Sequence, residues 1–392
     1  MGPLLLDPFN FTPLSRTPWA GLAIRERIKA ELIRARQFKL APARIGESWE
    51  CSCDPQFPSY IENLRFEGSD SAPSLLACLQ RYPEAMLSQQ LLRSLPEARC
   101  DILVKWIEAS EPLSLQLHPA DADPELKAHE SGKPESWLVC QHATGAGVYL
   151  GFRSGVTLKQ LQEVLMDGAG DPLALKALLY FHAVSDNDYF EIEPGIAHAL
   201  AAGCTVLEPQ RVLGGRSGVT YRMWDWGRRY NSEGLLDLKA GQARALHVEQ
   251  CLKRVRMFAD PEELLRALKK QAQLQVLRVQ TATGRCELGV VHCFPANAYY
   301  KVYRLQLGAG QEGWRRRGVV LRLKGGYAIA VQVGGVTMLE VEAGDSVRLV
   351  QGQTAFLPAA SFPLRFAVAE EAHVLLDCVV IVPAGAELVW DC

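Results

Sequence analysis

Nowhere in its 392 residues does the chain hold 18 consecutive apolar residues, so no stretch reads as a bilayer-spanning helix. It lacks excess charge as well: 42 Lys+Arg against 44 Asp+Glu leave a formal −2. Without a broad positive field, binding to nucleic acid or to an anionic membrane surface is not expected. The 11 cysteines lack paired spacing. Only Cys51 and Cys53 stand close together, which is neither a zinc ribbon nor a CxxC redox pair. Reduced thiols and a cytoplasmic setting follow as the expectation. The N-terminal MGPLLLDPFNFTPLSR has no basic residue before its short apolar run and does not read as a secretory signal. Repeats and low-complexity tracts are absent too.

What remains is an ordinary globular composition, 48% hydrophobic and 22% charged, long enough for two or three domains. Residues 20–38 and 74–109 read as helical, with Leu75, Leu76, Leu79 and then Leu91, Leu92, Leu95 at spacings of three and four. Residues 111–152 read as strands. A further helical stretch covers 157–182, opened by Thr157 and restarted at Asp171-Pro172 by an N-cap with proline behind it. Strand texture returns from Tyr189 to about Trp226. Residues 231–250 look like a connector, and Asp260-Pro261-Glu262-Glu263 starts another helix.

From about 274 onward nearly everything reads as strand: Tyr299–Leu307, Val319–Leu323, Tyr327–Val333, Val336–Val341 and Val374–Val382, separated by Gly-Gly, Ala-Gly-Asp and Leu-Pro turns. The fold class is therefore mainly β with helical insertions. The expectation is a jelly-roll domain over 1–245 and a second, β-rich jelly-roll-like domain over 246–392.

The residues with chemistry in them cluster in the first domain. In Pro112-Leu-Ser-Leu-Gln-Leu-His-Pro119 the leucines alternate with Ser114, Gln116 and His118. On a strand, those three polar side chains share a face; alone, that pattern describes an ordinary solvent-facing strand. Glu135 opens the apolar run Ser-Trp-Leu-Val-Cys after Gly132-Lys133-Pro134. A carboxylate there is awkward unless it is paired or ligates a cation. His198 follows a Pro194-Gly195 turn among small apolar residues, a setting common for a hydrogen-bonded core histidine.

Taken in order, these stretches resemble a known family. Leu-Ser-Leu-Gln-Leu-His-Pro, Gly-Lys-Pro-Glu, Pro-Gly-Ile-Ala-His-Ala-Leu, Leu207-Glu208-Pro-Gln210 and Thr220-Tyr221-Arg222-Met-Trp-Asp-Trp look like the type I mannose-6-phosphate isomerases, which are zinc cupins. Ile45-Gly-Glu-Ser-Trp-Glu50 and Phe152 add to the likeness. It covers about residues 16–230; beyond them the C-terminal third is similar only as a generic β-rich cupin.

The resemblance implies metal ligands at Gln116, His118, Glu135 and His198, a mixed N/O set suited to zinc and open to manganese, iron or cobalt. It implies isomerisation of mannose 6-phosphate and fructose 6-phosphate through an enediol. Arg222 would steady developing charge or grip the phosphate. Glu208 is the candidate base, Lys133 a donor to a substrate oxygen or the phosphate, and Ser114 a substrate contact.

Some positions depart from the family pattern. Members often carry lysine just before the Leu-Ser-x-Gln run, where this chain has Glu111; Lys105, Arg153 or Arg216 would then have to hold phosphate. A Ser-Asp common before the Thr-x-Arg motif reads Ser217-Gly218. A different sugar phosphate, or a sugar-sensing cupin without turnover, stays open on those grounds. His129, His142, His182 and His247, the Trp224–Trp226 pair and Arg315-Arg316-Arg317 are not assigned a site, and the C-terminal domain, with His292 and His373 far apart, is expected to bind no metal.

Overall fold

A computed structural model describes residues 1–39, 41–166, 172–281, 284–308, 318–342, 346–368 and 376–391. Four antiparallel sheets make two sandwiches. In the first, the six-stranded sheet runs 269–270, 189–192, 135–142, 204–211, 102–109, 47–51, and the five-stranded sheet runs 221–224, 115–117, 198–200, 147–152, 179–183. Ile107, Trp137, Val139, Phe190 and Val206 from the former share one core with Val148, Leu150 and Leu200 from the latter. The second sandwich joins a seven-stranded sheet to a five-stranded one through Leu305, Leu321, Leu339, Ala355, Phe366 and Val380.

The two sandwiches stack through the outer face of the six-stranded sheet. Val104, Trp106, Leu138 and Leu207 pack there against Val302, Ile329, Phe356 and Ile381 of the seven-stranded sheet. The six-stranded sheet is thus covered on both faces, which explains where the helical reading of 74–109 fails. Helices form at Leu75–Arg81, Pro83–Leu87 and Gln89–Leu92, but Ile102–Ala109 is a strand buried along its whole length. A strand apolar on both faces loses its alternation and reads like a buried helix.

Two further corrections concern limits. The 157–182 stretch is helical over Leu158–Met166 and Pro172–Leu178, after which Leu179–Ala183 becomes an edge strand; Thr157 does cap, its Oγ1 accepting from Gln160 N at 3.2 Å. Asp171 lies outside the described residues, as do Arg315-Arg316-Arg317, His373 and residues 374–375. The 20–38 stretch is a π-turn at Ile24–Ile28 followed by a helix at Ala30–Ala35.

The division between the halves also differs from 245/246. Helix Val248–Arg254 lies against strand Tyr221–Trp224, helix Pro261–Leu268 against Gly147–Phe152, and strand Lys269–Lys270 pairs with Tyr189 and Phe190. These elements belong to the first sandwich. Conversely, Leu4 and Leu5 pair with Phe356 and Ala355 of the second. Among the described residues no helix is long and apolar enough to cross a membrane.

Candidate metal centre and its cavity

Strand alternation sets the centre. Leu115 and Leu117 turn outward into a core with Tyr149, Ala199, Tyr221 and Met223, under the helices that supply Leu161, Leu175 and Cys251. Gln116 lies between them in the sequence, and its neighbours across the ladders are His198 on one side and Arg222 on the other. Those three side chains therefore enter the sandwich. From the opposite sheet Glu135 pairs with Gln210.

His118 and His198 arrive together because Gly195 N donates to the His118 carbonyl at 2.9 Å. Gly195 sits at φ +80°, and a Cβ there would meet the Arg254 carbonyl at 2.7 Å. Only glycine suits that turn.

His118, Glu135 and His198 are each buried, and their ligand atoms all lie within 4.8 Å of one another. Nε2 of His118 stands 3.2 Å from Glu135 Oε2, and Nε2 of His198 3.3 Å from Oε1. The other ring nitrogens are engaged with carbonyls: His118 Nδ1 with Val219 O at 3.0 Å, His198 Nδ1 with Ile196 O at 2.8 Å. Each carbonyl accepts a hydrogen bond from Nδ1–H, which leaves both Nε2 lone pairs facing Glu135. The Nε2 of His118 and Oε1 of Glu135 are buried with no hydrogen-bond partner. Orphaned acceptors aimed at one point are costly without a cation between them, so this donor set fits a divalent metal. Burial, then the Lys133 charge, pushes His118 down to about 3, keeping the ring in its ligating form.

Gln116 completes the group differently from expectation. Its amide nitrogen is the atom near His198 Nε2, at 3.5 Å, while Oε1 accepts from Ser114 Oγ at 3.3 Å. A half-turn of the amide exchanges the two atoms and offers Oε1 instead.

Beside this group opens a cavity of about 390 Å³ lined by Ser114, Gln116, Lys133, Glu208 and Arg222, among others. Ser114, Lys133, Glu208 and Arg222, four of the residues that the sequence singles out for catalysis or substrate binding, all reach it. Lys133 Nζ stands 3.2 Å from Glu135 Oε2. Glu208 accepts from Trp137 Nε1 at 2.9 Å and from the Gln210 amide, whose nitrogen also donates to Glu135 at 2.9 Å. Burial and the Glu135 charge raise the Glu208 carboxyl to about 8, against the pull of Lys105 and Lys133. Desolvation works against Glu135 as well, but that carboxyl is held low, chiefly by the Lys133 charge. Two adjacent carboxylates thus separate into one ionised and one near neutral.

The three phosphate-holding cations suggested by the sequence part company. Lys105 lines the cavity, over the Trp49 ring and 3.9 Å from both Glu47 and Glu208. Arg153 lines a separate depression with Tyr149 and Phe181, and Arg216 another with His129. Glu111 lies outside the cavity and pairs with Arg228 at 3.2 Å.

Sequence reasoning passed over Arg16, Arg244 and Glu47, which line the cavity from the N-terminal arm, the connector and the outermost strand of the six-stranded sheet. Glu47 lay inside a stretch already noted; the two arginines sit in loops with no periodicity to mark them. Of the histidines set aside, His247 holds the Arg222 backbone, its Nδ1 accepting from Arg222 N at 3.0 Å.

A double β-sandwich with a buried His-Glu-His group at the mouth of a charged cavity is the architecture of a two-domain cupin with a metal-type centre. No protein-family model matches the chain. In sequence it is related to mannose-6-phosphate isomerases: 28% identical over 215 residues to that of Streptococcus mutans, covering 55% of this chain and 59% of the relative, and 24% identical over 258 residues to ManA of Bacillus subtilis, covering 65% and 70%. The alignment with the Streptococcus relative thus spans less than two thirds of that protein. In fold it matches the crystal structure of the Bacillus subtilis mannose 6-phosphate isomerase with TM-score 0.69 at 19% identity, covering 97% of this chain and 99% of that one. A zinc-bound mannose 6-phosphate isomerase aligns with TM-score 0.60 at 14% identity, over 98% and 100%.

Proposed function

We propose that the protein interconverts mannose 6-phosphate and fructose 6-phosphate as a zinc-dependent aldose–ketose isomerase. The observation that carries this reading is the pair of unpartnered buried acceptors, on His118 and Glu135, beside a cavity whose wall holds one raised-pKa carboxylate and several cations. Gln116, His118, Glu135 and His198 would hold the metal, with manganese, iron or cobalt as substitutes. When bound, the ion supplies Lewis acidity at the carbonyl and hydroxyl oxygens of C1 and C2.

The chain's own residues do the rest. Glu208 takes the proton from C2 of the open-chain sugar on its carboxylate oxygen and returns it to C1, while the hydroxyl proton passes from the C2 oxygen to the C1 oxygen, so the sugar goes through an enediol. Ser217-Gly218 offers no carboxylate there, and Glu208 is the cavity carboxylate joined to Glu135 through Gln210. Trp137 Nε1 orients Glu208. Lys133 keeps Glu135 ionised and donates toward a sugar oxygen, as does Ser114. The guanidinium of Arg222 steadies negative charge on oxygen as the enediol forms. Burial and then Arg244 lower its pKa to about 10, so it stays charged at working pH.

The alternative raised by Glu111, a different sugar phosphate, weakens because that residue is turned to Arg228 while Lys105 occupies the cavity. The buried free thiols fit a reducing cytoplasm. Metal analysis and the mannose 6-phosphate assay on one preparation test the reading, with exchange at C2 followed in deuterated water. Stoichiometric zinc, ketose formation and exchange are expected; zinc without exchange would leave a sensing cupin.

A further inference from the structure

In strand Gly147–Phe152, Leu150 pairs with His198 and turns into the sandwich core, so its neighbour Tyr149 turns outward, away from the metal centre. There a second cavity of about 590 Å³ opens between the outer face of the five-stranded sheet and helix Pro172–Leu178. It has the size of a small-molecule site, roughly 300–1,000 Å³. None of its lining residues lines the cavity beside the metal group.

The wall combines an apolar surface with polar groups that the protein leaves unused. Leu179, Ala201 and the ring of Phe181 form the apolar part. Phe181 is 40% exposed and stands against Tyr149 with ring centroids 5.3 Å apart and planes at 61°. Trp226 also packs on Tyr149, at 5.3 Å. A half-exposed ring propped by others offers its surface to a further ring. Tyr149 is only 8% exposed, yet its hydroxyl makes no hydrogen bond to any described residue. A sequestered hydroxyl without a protein partner must bond to whatever fills the cavity.

Two cations border the same space. Arg153 donates from Nε to the Leu179 carbonyl at 3.1 Å, which holds the guanidinium and leaves both Nη groups without a described partner. Lys176, on the helix, pairs with no carboxylate among the described residues.

We propose that this cavity is a second ligand site, built for a small aromatic carboxylate. The ring lies on Phe181 and the apolar wall. The carboxylate takes the two Nη groups of Arg153 as a fork, with the Tyr149 hydroxyl and the Lys176 ammonium as further donors. A sugar fits this wall poorly, because its hydroxyls would face Leu179, Ala201 and Phe181 unpaired. The site is independent of the isomerase reading, since it shares no residue with the proposed catalytic group.

The test uses the full-length, zinc-loaded protein with 2-naphthoate as the probe, followed by calorimetry. One molecule per chain should bind saturably, and 2-naphthalenemethanol, a similar ring without the charge, at least about tenfold more weakly. Arg153→Gln should weaken naphthoate by about tenfold, and Tyr149→Phe, which removes only the hydroxyl, by about threefold to tenfold. Ala177 is an exposed residue of the helix that lines the cavity. Ala177→Trp should fill the space and abolish binding, while metal content and Tm stay at the parent's values in all three variants. Absence of saturable binding overturns the site. So does equal affinity for the alcohol, or naphthoate binding unchanged in Arg153→Gln and Ala177→Trp.

Discussion

Gln210 and Glu135 face each other across the ladder between strands 204–211 and 135–142, and the Gln210 amide donates to Glu135 Oε2 at 2.9 Å. The same nitrogen donates to Glu208. One side chain therefore orients both the proposed metal carboxylate and the proposed base. Gln210→Leu keeps the bulk and removes both donors. Metal affinity should fall about tenfold to a hundredfold, the usual cost of losing a ligand's supporting hydrogen bond. Competition with a graded chelator measures it, and unaltered retention would show that Glu135 is held without Gln210.

The ligand set makes a coupled prediction. His118→Ala or His198→Ala removes an imidazole from the group, so bound metal and isomerase activity should disappear together. In the unaltered protein a chelator should lower Tm, because binding to the folded state alone adds stability. The two variants should show no such chelator effect. A variant keeping full metal content would exclude that histidine as a ligand.

Arg222→Ala separates metal from chemistry. Its guanidinium lies beside the group without touching Glu135, so metal content should match the unaltered protein. Activity should drop by about a hundredfold to a thousandfold, as for loss of one donor to a developing oxyanion. Retained turnover would remove Arg222 from the reaction.

Much of this site could be read in the sequence, and the reasons are local. The alternation around Gln116 fixes which side chains enter the sandwich, and the Pro194-Gly195 turn fixes where His198 re-enters. Glu135 is conspicuous because it opens an apolar strand. Arg16 and Arg244 were not legible: each sits in a loop whose course depends on contacts made far away, such as the hydrogen bonds that Arg244 donates to Asp225. The strand at Ile102–Ala109 was misread because both its faces are buried, which erases the period that tells strand from helix. The edge of the first sandwich was set too early for a related reason, since Lys269–Lys270 joins its sheet by just two residues.

Stability between the halves rests partly on a buried ion pair. Lys29 Nζ lies 2.7 Å from Glu50 Oε1 with both side chains all but inaccessible, and it also donates to the Gly352 carbonyl at 2.8 Å. Ser48 and Thr354 donate to the same carboxylate at 2.6 and 2.8 Å. Burial drives the Lys29 pKa down, and Glu50 resists that. Glu50→Ala strands the ammonium and should cost about 3–5 kcal/mol, read from the urea midpoint. Joining it with Lys29→Met should recover much of the loss; an equal loss in the double variant would assign the effect to packing alone.

The pH dependence follows from Glu208. Burial, then Glu135, raises its carboxyl from 4.5 to about 8, and a base must be ionised to accept a proton. Activity should therefore climb as pH rises toward about 8, and a bound cation nearby moves that limb to lower pH by favouring the carboxylate. In the metal-free protein the same shift has a stability sign. Between about pH 4.5 and 8 the folded state keeps a proton on Glu208 that the unfolded chain has released. The group's contribution to stability is complete below the lower value and disappears as pH rises through the upper one. Glu208→Gln cannot ionise, so it should flatten this decline in urea titrations run across the window, while eliminating turnover. A variant with the parent's slope would mean that Glu208 is already ionised in the folded protein, and the base would have to be sought elsewhere on the cavity wall.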